Sequence, residues 1–227
     1  MLNLKSIISA VAIAAASLAA QATTLVQWNF DASTVAATTG SGTASLIGGT
    51  TGTFAAGATG SSSDKGWNTA NYAAQATGDK SRGVQFTVSS AGFEDIMFSY
   101  DSRHSATASA NEMVQYSIDG TNFSDLQLFN SGTNANFILG RTVDLSSISA
   151  TDNQANVYFR IVSTFAPSTS AYVGTGSSYG ASGTMRFDNV TISGTAIAAV
   201  PEPQTYALML AGLAAIGFIA RRRSPKV

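Results

Sequence analysis

Four short runs of the chain alternate apolar and polar residues with a period of two: Val84-Gln-Phe-Thr-Val88, Ile96-Met-Phe-Ser-Tyr100, Met113-Val-Gln-Tyr-Ser-Ile118 and Val157-Tyr-Phe-Arg-Ile-Val162. Successive side chains of a strand point to opposite faces, so only extended backbone gathers such a pattern into one apolar face. In the last run that face is Val157, Phe159 and Ile161. Each run is short, rich in β-branched or aromatic residues and bounded by Gly, Asn, Asp or Ser. Asp119-Gly120, ahead of the apolar stretch 123–129, reads as a hairpin turn. Further strands are expected at 24–30, 137–145 and 185–192. No stretch between the chain ends carries a helical period. The expected class is therefore all-β, a two-sheet antiparallel sandwich.

The two ends read differently. Lys5 is followed by an uncharged apolar run, and the small residues Ala20 and Ala22 bracket Gln21 in an Ala-x-Ala cleavage pattern. This is the layout of a signal peptide over 1–22, with an N-terminal signal helix, and it predicts export. At the other end, 205–220 is uncharged and apolar, and Arg221, Arg222 and Arg223 open a basic tail over 221–227. As a helix those 16 residues (220 − 205 + 1) rise roughly 24 Å. A hydrocarbon core is ~30 Å thick, so a transmembrane helix here needs thinning or help from its flanks. The arginines would stay cytoplasmic and 23–198 would lie outside. Pro201-Glu202-Pro203, just before the helix, can neither continue a strand nor sit inside a helix, so it is extended and exposed, as a protease substrate must be.

Pro-Glu-Pro, apolar helix, arginine cluster and chain end, in that order over 199–227, resemble the PEP-CTERM sorting signal of Gram-negative bacteria. The resemblance implies processing near Pro201, Glu202 and Pro203 by exosortase, a membrane-embedded cysteine protease. It also implies transient residence at the inner membrane, a cell-surface or secreted destination, and a link to exopolysaccharide and biofilm.

The segment 23–198 is the right size for one domain with its own core. It holds seven basic and twelve acidic residues, a net charge of 7 − 12 = −5. So few Lys and Arg cannot build a face for nucleic acid. With no Cys in the chain, disulfides, cysteine nucleophiles and thiolate metal sites are all excluded. Residues 32–63 are almost wholly Ala, Ser, Thr and Gly and are expected to form short strands joined by wide loops. Residues 163–183 are similar but carry Tyr172 and Tyr179.

Catalytic patterns are absent. The single histidine, His104, has no nucleophile at usable spacing, and there is no Gly-x-Ser-x-Gly, His-Glu-x-x-His or phosphate loop. Carboxylates for a glycosidase are available, but Glu94, Asp95 and Glu112 sit where solvated turns are expected. No enzymatic role is predicted.

The final strand changes phase: Met185 and Phe187 share one parity, Val190 and Ile192 the other, so a β-bulge is required near Asp188-Asn189. This strand, with the first strand ending in Asp31, resembles the terminal strands of jelly-roll carbohydrate-binding modules and lectin-like sandwiches. That resemblance implies adjacent terminal strands and a structural Ca²⁺ with Asp188 and Asp31 as oxygen ligands. Alternatively Asp188 and Asn189 only make turn-type bonds to the backbone. Trp67, Tyr72, Tyr172 and Tyr179 are the candidates for stacking on sugar rings, whereas Trp28 reads as core. The expected function is an exported, exosortase-sorted surface or matrix protein, glycan-binding and associated with extracellular polysaccharide. A purely structural or adhesive matrix component is the alternative, and a secreted hydrolase a third.

Overall fold

The computed structural model describes residues 21–133, 135–198 and 203–222. The strands are β1 (Ala22–Trp28), β2 (Thr39–Gly40), β3 (Gly42–Ile47), β4 (Thr51–Ala56), β5 (Lys65–Ala70) and β6 (Gly83–Val88). They continue as β7 (Phe93–His104), β8 (Asn111–Ser117), β9 (Ser124–Asn130), β10 (Ile138–Asp144), β11 (Val157–Ser163) and β12 (Met185–Ala196). A single 3-10 turn occupies Ser149–Thr151, and a helix, α1, runs over Pro203–Arg222.

The strands form two antiparallel sheets of a jelly-roll-like sandwich. One has the order β10-β7-β12-β1-β2, with β5 also on β12 and β4 on β5; the other is β3-β6-β11-β8-β9. All four alternating runs are strands. The phase change in β12 is also present: its register against β7 slips between Asp188 and Thr191, and Asn189 takes φ 47. The slip lets one strand serve two partners on the same side, β5 along Met185–Phe187 and β1 along Val190–Thr195.

Residues 32–63 supply β2, β3 and β4, and their small side chains have a packing reason. A Cβ on Gly40 would overlap the Leu25 carbonyl, and one on Gly42 would lie 3.0 Å from the Trp28 ring. Only glycine lets this backbone pass so close.

The interior is aromatic. Phe98 of β7 stacks on Phe159 of β11 at 4.9 Å, and Trp28 of β1 meets Phe86 of β6 at 5.0 Å, each pair joining one sheet to the other. Val84, Ile96, Ile161, Val190 and Ile192 close around them, all fully buried. Each such side chain contributes about 1.5–3 kcal/mol by leaving water, and well-placed ring pairs add about 0.5–1.5 kcal/mol.

Next to this core is a buried charged cluster. Glu112, expected in a solvated turn, is instead fully buried on β8. Its Oε1 accepts from Tyr100 at 2.7 Å, Ser102 at 3.2 Å and Arg141 at 3.2 Å. Its Oε2 lies 2.8 Å from His104 Nε2, while His104 Nδ1 lies 2.6 Å from the Ser109 carbonyl. Both ring nitrogens face oxygen acceptors, the arrangement of an imidazolium that donates twice. Burial alone would raise the Glu112 carboxyl, but the charges of His104 and Arg141 and the donated hydrogen bonds outweigh it and hold it at about 2.

Residues 197–227 form a second compact unit. Its helix α1 presents Leu208, Leu210, Ile216 and Phe218 to solvent. No helix among the described residues is long and apolar enough to cross a membrane. Residues 1–20, Pro201, Glu202 and Arg223 lie outside the described residues, and with them Ala20 and most of the segment 1–22 expected to be a signal peptide. Ala22 opens β1 opposite Thr195, so a cut after it leaves the strand starting at Thr23.

Candidate functional site

The aromatic residues expected to meet sugar rings are mostly interior. Trp67 is 3%, Tyr72 2% and Tyr172 2% exposed, which corrects their reading as stacking platforms, since such rings offer no face to a ligand. Tyr179 is half-buried. The cause is a loop that folds back instead of projecting. Tyr172 donates its hydroxyl to Gly78 O at 2.9 Å, Tyr179 donates to Ala73 O at 2.6 Å, and the two rings stack at 4.5 Å. Segment 163–183 is thereby pinned onto the turn after β5. Burial pushes the Tyr179 hydroxyl up to about 12.

Asp31 and Asp188 both serve the β4–β5 turn. Asp188, fully buried at the bulge, accepts from Ala58 N at 2.8 Å and Asn189 N at 2.7 Å. Asp31, exposed, accepts from Lys65 N at 3.0 Å and Asn29 Nδ2 at 2.8 Å. Each of the four carboxylate oxygens therefore accepts from one N–H donor. Among the described residues no three His, Cys, Asp or Glu side chains gather as a ligand set. These hydrogen bonds tie down the turn. Burial, with the nearby charges of Asp64 and Asp101, raises the Asp188 carboxyl to about 6.

An open pocket of about 360 Å³ lies on the exposed face of the seven-stranded sheet, between the β4–β5 turn and β10. Arg103 on β7 and Arg186 on β12 are register partners, so both side chains stand on the same face and line it. Arg186 donates to Ala56 O at 2.6 Å and to Asn68 Oδ1 at 3.3 Å. Burial first, and then the like charge of Arg103, lowers its guanidinium below the ordinary value. No carboxylate among the described residues lies within 4.0 Å of either guanidinium. Phe137 and Leu139 form an apolar wall, and Gly57, Ala58, Thr59 and Gly60 supply backbone. The register of β10 slips between Ile138 and Arg141, where Gly140 takes φ 66, and this bulge leaves Leu139 65% exposed.

Sequence reading did not find this pair. Arg103 and Arg186 do have the outward parity of their strands, opposite to Ser102 and His104 and to Met185 and Phe187. Parity names the face but not the partner strand.

Comparison with known proteins bears on both units. Residues 199–223 match the family described as the PEP-CTERM protein-sorting motif. The motif marks an exported protein sorted to the cell surface. No curated protein sequence is similar to the chain. Among solved structures, the CBM22-1–CBM22-2 tandem domain of Paenibacillus barcinonensis Xyn10C aligns with a TM-score of 0.50 at 14% identity. It covers 83% of this chain, which spans only half of that one. The CBM22-1–GH10 modules of Clostridium thermocellum xylanase 10B, complexed with xylohexaose, align at TM-score 0.45 and 14% identity over 75% of this chain and 28% of theirs. A putative sugar-binding protein of Bacteroides thetaiotaomicron aligns at 0.43 and 11% identity over 76% and 100%. The sandwich is similar in fold to the CBM22 tandem domain.

Proposed function

We propose that this chain is an exported, non-catalytic glycan-binding protein. In this reading exosortase processes it near Pro201-Glu202-Pro203, and it is retained among the extracellular polysaccharides of a biofilm. The observation that carries the reading is the pairing of a sorting motif with a carbohydrate-binding-module fold whose outer sheet face holds a cavity. That cavity has guanidinium donors, backbone polar groups and an apolar wall, the mixture a sugar needs for its hydroxyls and its C–H face. Its lining has no carboxylate, whereas glycoside hydrolysis needs two across the scissile bond, which supports binding over turnover.

The test is calorimetric titration of the protein with the host's own exopolysaccharide. Saturable binding is expected, and an absence of heat at every concentration would defeat the reading. Repeating the titration with Ca²⁺ and then with a chelator tests Asp188 and Asp31 as metal ligands. For the sorting part, replacing Pro201, Glu202 and Pro203 together by Ala is expected to block maturation in a host carrying exosortase; unchanged maturation would refute it. The burial of Trp67, Tyr72 and Tyr172 favours the second reading, a structural or adhesive matrix component without a small ligand.

A further inference from the structure

We propose that the cavity between the β4–β5 turn and β10 selects an acidic sugar unit, its carboxylate gripped by Arg103 and Arg186. This rests on the glycan-binding reading and deepens it by naming the ligand class. Like charges directly opposite on neighbouring strands destabilise a sheet. Here that cost is met by no acidic partner, although the domain carries more acids than bases. The carboxylates two residues along the same strands, Asp101 and Asp188, and Asp64 of the turn are engaged by Gly140 N, Ala58 N and Thr59 N. The cationic pair therefore faces the cavity uncompensated.

Guanidinium forks match the two oxygens of a carboxylate, and two of them are more than a neutral hydroxyl requires. The remaining walls favour a saccharide over a bare anion. Leu139 and Phe137 offer apolar surface to a ring face, and the volume, about 360 Å³, lies in the range of small-molecule sites.

The experiment is calorimetry on the full-length chain and its Arg103→Gln and Arg186→Gln variants, with three probes: trigalacturonate, neutral galactotriose and inorganic phosphate. Trigalacturonate is expected to bind at least about tenfold more tightly than galactotriose, and each variant to lose about tenfold for the acid only, as charge-assisted hydrogen bonds are lost. Equal affinity for both sugars, unchanged by either variant, would overturn the acidic preference while leaving glycan binding in place. Phosphate binding as tightly as the acid sugar would overturn it in favour of a plain anion hole. No saccharide binding at all would remove the glycan reading and this proposal together. Arg186 also ties Ala56 and Asn68, so its variant can loosen the turn; Arg103, which makes no such bonds, keeps the test valid, with unfolding midpoints as the control.

Discussion

Along β7 the same strand joins the two sheets in two ways. At Phe98 it meets β11 through ring faces, with Phe86, Phe159 and Ile161 around it. Further on, at Ser102 and His104, it meets β8 through the Glu112 carboxylate. Both regions are equally dry, with Phe98, Phe159, His104 and Glu112 all at 0% exposure. They differ in what a displacement costs. Apolar packing is non-directional and tolerates a shift that preserves volume. A buried carboxylate with two cationic partners tolerates none, because moving one group strands the others without water. The apolar region holds the sheets together, and the charged region fixes how they are aligned.

The contrast can be broken by deleting one member of each region. Glu112→Ala leaves the charges of Arg141 and His104 buried and unpaired, and is expected to lower unfolding free energy by about 3–5 kcal/mol in urea denaturation. A loss no larger than that of a single core methylene would erase the distinction.

Acid sharpens it. The Glu112 carboxyl lies at about 2 in the folded protein against an ordinary 4.5, so its stabilisation is complete above 4.5 and is lost as pH falls through about 2. On the order of 3 kcal/mol should disappear across that window, measured by denaturation at a series of pH values. Glu112→Gln should flatten this part of the profile. A wild-type profile already flat there would show that the cluster does not hold an ionised carboxylate.

The smallest effect belongs to the apolar region. Ile161→Val removes one methylene from the core beside its register partners Val84 and Val114 and is expected to cost about 0.5–1.5 kcal/mol, with no dependence on pH or salt. A pH-dependent loss at Ile161 would mean that the two regions are coupled.

How much of this could be read beforehand follows from what period and parity encode. Alternation identified β6, β8, β11 and the heart of β7, and the parity break at Asp188-Asn189 located the bulge, because these are local properties of one strand. Glu112 was misplaced because the first residues of β8, Asn111 and Glu112, are both buried and so break the alternation that marks a core face. Its partners come from β7 and β10, which no local pattern reveals. Tyr72 and Tyr172 were misjudged because Gly- and Ser-rich surroundings do not show that two loops will close on each other. The arginine pair was missed for the same reason: residues 103 and 186 become neighbours only through the sheet order.

That order also has a consequence in time. β12 is the last strand of the sandwich, yet it lies between β7 and β1 and completes β5 as well. A chain that emerges N-terminus first must carry β1 with an unpaired edge, and Val26 and Trp28 without their full cover, until nearly the whole domain has followed. Such distant pairing is slow, and an unpaired edge invites the wrong partner. The sorting motif begins only a few residues after β12 ends. In the chain, the motif therefore follows directly on the strand that the sandwich needs to close.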